Sequence, residues 1–241
     1  MNGTLPTRLA PGPDRPSRDR LIAAAERLFA DRGFTGVSVR QIATAAGVNS
    51  ALIGYYFGSK IGLLSEVYRV HCEPLTRERS RLLELARRRS PPLALEAVIE
   101  AFVRPALSVT REGGATDFTR LRAVLSAESS TLFDGLVAEN FDRSSSAFIA
   151  ALGEACPELA PGDIYWRFHF LLGAIYYTAA GPHRVRVLSQ GDCDPADLEA
   201  AIAELVHFVT AGFRAPALAR STTGSAAVPP TSRRAVRQAA E

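Results

Sequence analysis

The sequence predicts an all-α fold, with a short three-helix unit at its N-terminal end and a larger helical body behind it. Three observations carry the prediction. Apolar residues recur at helical spacing along most of the 241 residues, and no segment shows the two-residue alternation of a half-buried strand. Gly, Pro, Ser and Asp fall where helices start and stop.

Leu21, Ala25, Leu28 and Phe29 stand at i, i+4, i+7 and i+8, one apolar helix face. Gly33 supplies the stop. Ser38 followed by Gln41 fits a capping box that opens a second helix. Ala46-Gly47-Val48 makes a turn in which Gly47 adopts positive φ without steric cost. Asn49 suits the N-cap of a third helix running to about Phe57, and Gly58 breaks it. Ser59 then caps a fourth helix, which Pro74 is expected to end or kink, and a charged helix follows to about Arg89. Pro91-Pro92 restarts a helix through Leu93, Val98, Phe102 and Ala106, and Gly113-Gly114 makes a loop. Two further helices run from Thr116 to about Ser129 and from Leu132 to about Cys156. Asp163 caps a helix through Tyr177 that Gly181-Pro182 stops. Asp194 as N-cap with Pro195 at the first helical position opens the last helix, whose Leu198, Ile202, Leu205, Val206 and Val209 share a face. Residues 1–16 read as a flexible arm and 216–241, rich in Ser, Thr, Ala, Pro and Arg, as a disordered tail. Between them the chain divides into 17–62 and 63–215.

Composition narrows the function. With 47% hydrophobic and 22% charged residues the chain is globular. No stretch is long and apolar enough to span a membrane. Cys72, Cys156 and Cys193 are odd in number and widely spaced, which fits a reducing cytoplasm. The net charge of +3 hides an asymmetry: residues 1–60 carry +4, residues 61–213 carry −5 and residues 214–241 carry +4. A basic N-terminal module on an acidic body suits a nucleic-acid reader joined to something that is not one. His71-Cys72, His169, His183 and His207 have no metal-ligand spacing, and no phosphate-binding or dinucleotide fingerprint appears. No metal, cofactor or catalytic set is therefore expected.

Residues 38–60, SVRQIATAAGVNSALIGYYFGSK, carry the chemistry. Two short helices with a Gly-bearing turn form a helix-turn-helix, which places its second helix in a DNA groove about 12 Å wide. Asn49, Ser50 and Ala51 are short, so that helix N-terminus can approach base edges closely, and its positive dipole end favours phosphate. Gly54 inside the helix costs about 0.8–1 kcal/mol relative to Ala, which is explained either by close approach of DNA or by a tolerated small residue. Val48, Ile53 and Phe57, with Ile42 and Phe29, are the expected core contacts. Tyr55 and Tyr56 cannot both point inward, so one offers its hydroxyl to phosphate. Lys60 is the only lysine among 28 basic residues. In the first turn of the fourth helix it opposes the helix dipole unless a phosphate lies nearby. Arg40 is a second phosphate candidate.

Segment 18–66 resembles the DNA-binding domain of the TetR (tetracycline-repressor-like) transcriptional regulators, through AAERLFADRGF, SVRQIATAAGV, and YYFGSK followed by GLL. Ile61 and Gly54 depart from it, since many relatives carry Glu and a bulkier side chain there. The resemblance implies a homodimer with a three-helix N-terminal reader of double-stranded DNA and a larger all-α ligand-sensing and dimerisation domain. It implies repression, relieved at a palindromic operator by a small molecule. By matching position, Ser38, Arg40, Asn49, Ser50, Ala51, Tyr55, Tyr56 and Lys60 form the DNA-facing set.

The ligand does not carry over from the resemblance. Pockets form between helices and are mostly apolar with a few polar groups, which makes Phe102, Phe118, Leu125, Trp166, Phe170, Arg122 and His169 the candidates for an effector site. Arg122 could pair with Glu128 or with an acidic group on a ligand. Residues 163–180, DIYWRFHFLLGAIYYTAA, are apolar nearly all round and must be covered on more than one side, by the core or by a partner subunit. The last helix could supply another element of a four-helix dimer interface. Two other readings compete: a helical protein-interaction regulator that binds DNA without an inducer, and an all-α enzyme.

Overall fold

The computed structural model describes residues 15–89, 91–109, 115–128, 130–180 and 182–218. The expectations for Gly113-Gly114, for Gly181 and for most of the arm and tail lie outside these residues. The described residues are helical with no strand. The helices are α1 (Arg15–Arg32), α2 (Val39–Ala46), α3 (Ala51–Phe57), α4 (Lys60–Arg89), α5 (Leu95–Val109), α6 (Ala115–Glu128), α7 (Ser130–Ala155), α8 (Pro161–Ala180), α9 (Pro182–Leu188) and α10 (Leu198–Arg214).

Local signals fix the N-terminal unit. Ser38 caps α2 in a full capping box: its hydroxyl accepts from Gln41 N–H, and the Gln41 side chain accepts from Ser38 N–H. Gly47 ends α2 at φ +65°. Ser59 Oγ accepts from Gly62 N–H at 3.0 Å, the cap expected of it. Leu21, Ala25, Phe29, Ile42 and Ile53 are buried in one cluster, to which α4 adds Leu63, Leu64, Val67, Tyr68 and Cys72. Leu121 and Leu125 of α6 and Leu136 of α7 join the same cluster, so the body grips the N-terminal unit directly. A second cluster fills the body with Val98, Ile99 and Phe102 of α5, Phe148 and Leu152 of α7, Phe168 of α8 and Phe213 of α10.

Four boundaries differ from the sequence reading. The arm is shorter than 1–16, because α1 already begins at Arg15. Pro74 neither ends nor divides α4, which runs for 30 residues through it. The bond it removes is the one to the carbonyl of Val70, and both Val70 and Pro74 face water, which can solvate that carbonyl. Apolar residues buried on either side, from Leu63 to Ala86, hold the two halves in one helix. Asp163 is not the cap of α8. The helix starts at Pro161, the Ala160 carbonyl accepts from Asp163 N–H, and Asp163 sits in the first turn, where its charge suits the dipole. Asp197, not Asp194, caps α10, accepting from Ala200 N–H at 3.0 Å, while Asp194 accepts from Ala196 N–H and closes a tight turn before it.

The expected coverage of residues 163–180 is met on one side only. Ile164, Phe168, Leu171 and Ile175, spaced i, i+4, i+7 and i+11, are buried, whereas Tyr165, Trp166, Phe170 and Tyr177 on the other side are 60–66% exposed. Phe208 of α10 is 70% exposed. Among the described residues no helix is long and apolar enough to cross a membrane.

Candidate nucleic-acid interface

Helix α3 is seven residues long and is anchored by Ile53, its one fully buried side chain. Val48, Leu52, Tyr56 and Phe57 pack partly against the same core. Everything on the opposite side faces out: Asn49, Ser50, Ala51 and Gly54 are exposed, and Tyr55 is 70% exposed. Tyr55 and Tyr56 meet edge to face at 5.4 Å, so one tyrosine points outward and its half-buried neighbour supports it. Arg40 projects from α2 and is exposed.

Asn49 and Ser50 divide the work that the sequence assigned to Asn49. Asn49 Oδ1 accepts from Ala51 N–H at 2.8 Å, so its carbonyl oxygen is committed to the start of the helix. Ser50 occupies the cap position with helical angles and makes no side-chain capping bond. Its hydroxyl therefore has both donor and acceptor capacity at the exposed tip. Ser38, by contrast, is spent on its capping box.

Gly54 sits in open space: a Cβ added there meets no atom within 4 Å. No internal contact demands glycine, so close approach of DNA and a tolerated small residue both remain open. Gly54→Ala is expected to stabilise the protein by up to about 1 kcal/mol in urea unfolding while weakening binding to a target duplex. Binding unchanged in that variant would mean that the position is only a tolerated gap.

Lys60 has a competing partner. Its ammonium donates to the Phe34 carbonyl and lies 4.2 Å from the Phe34 ring centroid. Burial lowers its pKa, and Glu128 partly offsets that. In this geometry Lys60 fastens α4 to the turn after α1, a contact that offsets its dipole-opposed position.

Sequence reasoning offered Glu128, the last residue of α6, to Arg122 and missed the contact it makes with the turn after α1. Its carboxylate accepts from the N–H groups of Phe34 (2.6 Å) and Thr35 (2.7 Å) and from the Thr35 hydroxyl. Burial pushes that carboxyl up, but the Thr35 and Phe34 hydrogen bonds and the Lys60 charge outweigh it and hold it below the ordinary value. A Cβ on Gly33, at φ +74°, would come within 2.8 Å of Glu128 Oε2, so this contact needs the glycine. Arg120 of α6 pairs with Asp31 of α1 at 2.7 Å alongside it. No local pattern announces such a contact, because its partners lie 93 and 94 residues away.

The structure does not bring the seven effector-site candidates together in one place. Phe102 is fully buried in the body core against Phe148 and Phe168. Leu125 is fully buried in the N-terminal cluster, and Phe118 packs partly against it, between Tyr68 and the ring of His71, with which it stacks at 4.4 Å. Trp166, His169 and Phe170 form an aromatic group on the outer side of α8. Helical spacing brings apolar residues to a face but does not say whether core, pocket or partner covers it. Only Arg122 keeps an interior polar position, between the rings of Phe141 and Tyr176.

Comparisons with known proteins agree with this architecture. Residues 21–67 match the family model described as bacterial regulatory proteins, tetR family, and residues 100–212 match the tetracyclin repressor-like C-terminal domain. The probable HTH-type transcriptional regulator YttP of Bacillus subtilis is 47% identical over 51 residues, 21% of this chain and 25% of that protein. The HTH-type transcriptional repressor NicS of Pseudomonas putida is 43% identical over 56 residues, 22% of this chain and 26% of its own. The match thus spans about a quarter of the length of these relatives. A putative fatty acid metabolism regulator of Clostridium perfringens superposes with a TM-score of 0.62 at 19% identity, over 80% of this chain and 97% of that one, which speaks to the fold.

Proposed function

This chain belongs to the TetR family of bacterial regulatory proteins, and on that premise we propose that it is a cytoplasmic transcriptional repressor that binds a palindromic operator as a homodimer and releases it when a small molecule enters its body. Residues 17–62 are the reader, and 63–215 sense the effector and dimerise. Ser50, Ala51, Asn49 and Tyr55 meet the DNA, with Ser38, Arg40, Tyr56 and Lys60 flanking them. The observation that carries the reading is α3 itself, a short helix buried on one side by Ile53 and bare on the other, with small residues at its exposed N-terminal tip. Repression is supported by the naming of NicS as a repressor. Selection of bound genomic duplexes tests this: a twofold-symmetric motif is expected, and enrichment of no sequence would contradict it.

Dimerisation uses the outer side of α8, where Trp166 and Phe170 stack. Release is transmitted by the two helices that reach the reader, α4 through its start at Lys60 and α6 through Glu128. A coupling of about 1–3 kcal/mol would weaken DNA binding several-fold to more than a hundredfold.

The Glu128 contact has a pH signature. Its folded pKa lies below the ordinary 4.5, so its stabilisation is complete above that value and is lost as pH falls through the folded one. Urea unfolding should place Glu128→Gln about 1–2 kcal/mol below the unsubstituted chain at neutral pH, with the gap closing in acid. A gap that stayed constant in acid would remove the carboxylate from the account.

A further inference from the structure

We propose that the effector is an organic acid, an apolar molecule ending in a carboxylate, whose anionic head is held between Arg79 of α4 and Arg122 of α6. This rests on the reading of the body as a small-molecule sensor.

Arg79 is 5% exposed. Its Nε donates to the Phe102 carbonyl at 3.0 Å and its guanidinium lies 3.6 Å from the Phe102 ring centroid. Among the described residues no carboxylate forms an ion pair with it. Buried charges are ordinarily paired, because an isolated one is costly to desolvate. Arg122 stands in the same interior region, 5.7 and 5.6 Å from the ring centroids of Phe141 and Tyr176, and its Nε is buried without a hydrogen-bond partner. Burial, and then the charge of Arg122, push Arg79 down to about 9. The carboxylate that the sequence offered to Arg122 is Glu128, and the turn after α1 has taken it.

A third donor belongs to the same region. The Tyr68 hydroxyl is buried without a partner. Burial raises its pKa and Arg122 is close enough to act on it, so it remains a neutral O–H. The Arg122 Nε and the Tyr68 hydroxyl are thus donors without an acceptor, and Arg122 is close enough to the buried Arg79 cation for the charges to act on one another. Among the described residues no carboxylate pairs with either guanidinium, so the set is the complement of a carboxylate. The surroundings call for an apolar body on that head. Phe102, Phe141 and Tyr176 line the arginines, and burial pushes the Cys72 thiol up to about 12, so it too stays neutral. A groove of about 470 Å³ between α4 and α7, bordered by Leu83, Ser144 and Phe148, also carries Glu73, Glu84 and Glu139 and is lined by neither Arg79 nor Arg122, so it is an approach from solvent and not the seat of the head group. The Ser144 hydroxyl is buried and unpartnered. An anion drawing Arg79 and Arg122 together acts on α4 and α6 at once, the two helices that reach the reader.

The test uses the full chain and sodium butyrate, octanoate, dodecanoate and phenylacetate, with the methyl ester of each and inorganic phosphate as controls. Calorimetry and melting curves are expected to show binding of at least one acid, its ester about tenfold or more weaker, and no effect of phosphate. Arg79→Met and Arg122→Met each weaken the acid about tenfold or more. Should Arg79→Met fail to fold, Arg122→Met decides the question, since Arg122 is only partly buried. Equal binding of acid and ester, binding of no acid, or full acid affinity in Arg122→Met would overturn the proposal. DNA binding is measured on the same samples without acid. Its absence from the unsubstituted chain would sink the regulator reading alone, because the acid titration does not depend on it.

Discussion

A chain carrying Trp166→Asp and Phe170→Asp is expected to sediment as a monomer and to bind a palindromic operator about 10²–10⁴-fold more weakly than the unsubstituted chain. The reasoning starts from exposure. Trp166 and Phe170 are 60% and 63% exposed, stacked on each other, with Tyr165 and Tyr177 on the same helix. Aromatic residues concentrated on one side of a helix mark an interaction surface. The opposite side of α8 is already satisfied by Phe168, Leu171 and Ile175, so the exposed side is free to meet a second copy. A twofold dimer puts one face against itself, and an aspartate pair there is duplicated across the axis. Linking two readers makes the second half-site contact intramolecular, and losing that link forfeits an avidity factor of about 10²–10⁴. Because neither side chain is part of the chain's own core, circular dichroism and melting should change little. A variant that stays dimeric would move the interface elsewhere.

Phe102→Ala is expected to cost about 3–5 kcal/mol of stability and to lower the melting temperature by roughly 6–20 °C. Phe102 is 1% exposed and meets Phe148 at 4.9 Å and Phe168 at 5.1 Å between ring centroids. Its ring also carries the Arg79 guanidinium. Truncation removes the packing of three helices at once and leaves a buried cation without its aromatic cover. A residue that merely lined an open pocket would cost far less, so calorimetry separates the core role from the pocket role the sequence suggested. A loss under about 1 kcal/mol would restore the pocket reading.

The N-terminal unit was legible because its signals are local. The capping box at Ser38 and the positive φ of Gly47 each depend on residues within one turn. The misplaced starts of α8 and α10 are a different case. Asp163, Asp194 and Asp197 all stand within three residues of a proline, and a sequence rule cannot choose between Asp194 and Asp197, whose side chains both find an N–H. Helix α9 was unseen because Val185, Val187 and Leu188 are all exposed and form no buried face. The site was legible where it depended on exposure of a short helix, and illegible where it depended on long-range pairing. Tyr55 follows from the impossibility of burying two adjacent tyrosines. Glu128 and the Arg79–Arg122 pair follow only from the way α4, α6 and the turn after α1 meet in three dimensions.

Dimethyl sulfate probing of a selected duplex tests the central claim most directly, because it modifies guanine N7 in the major groove and adenine N3 in the minor groove. With α3 seated as described, guanine N7 is protected in two clusters on one face of the duplex, separated by one helical turn of about 34 Å or a whole multiple of it. Protection confined to adenine N3, a single cluster, or none would show that this helix does not read DNA as a symmetric pair.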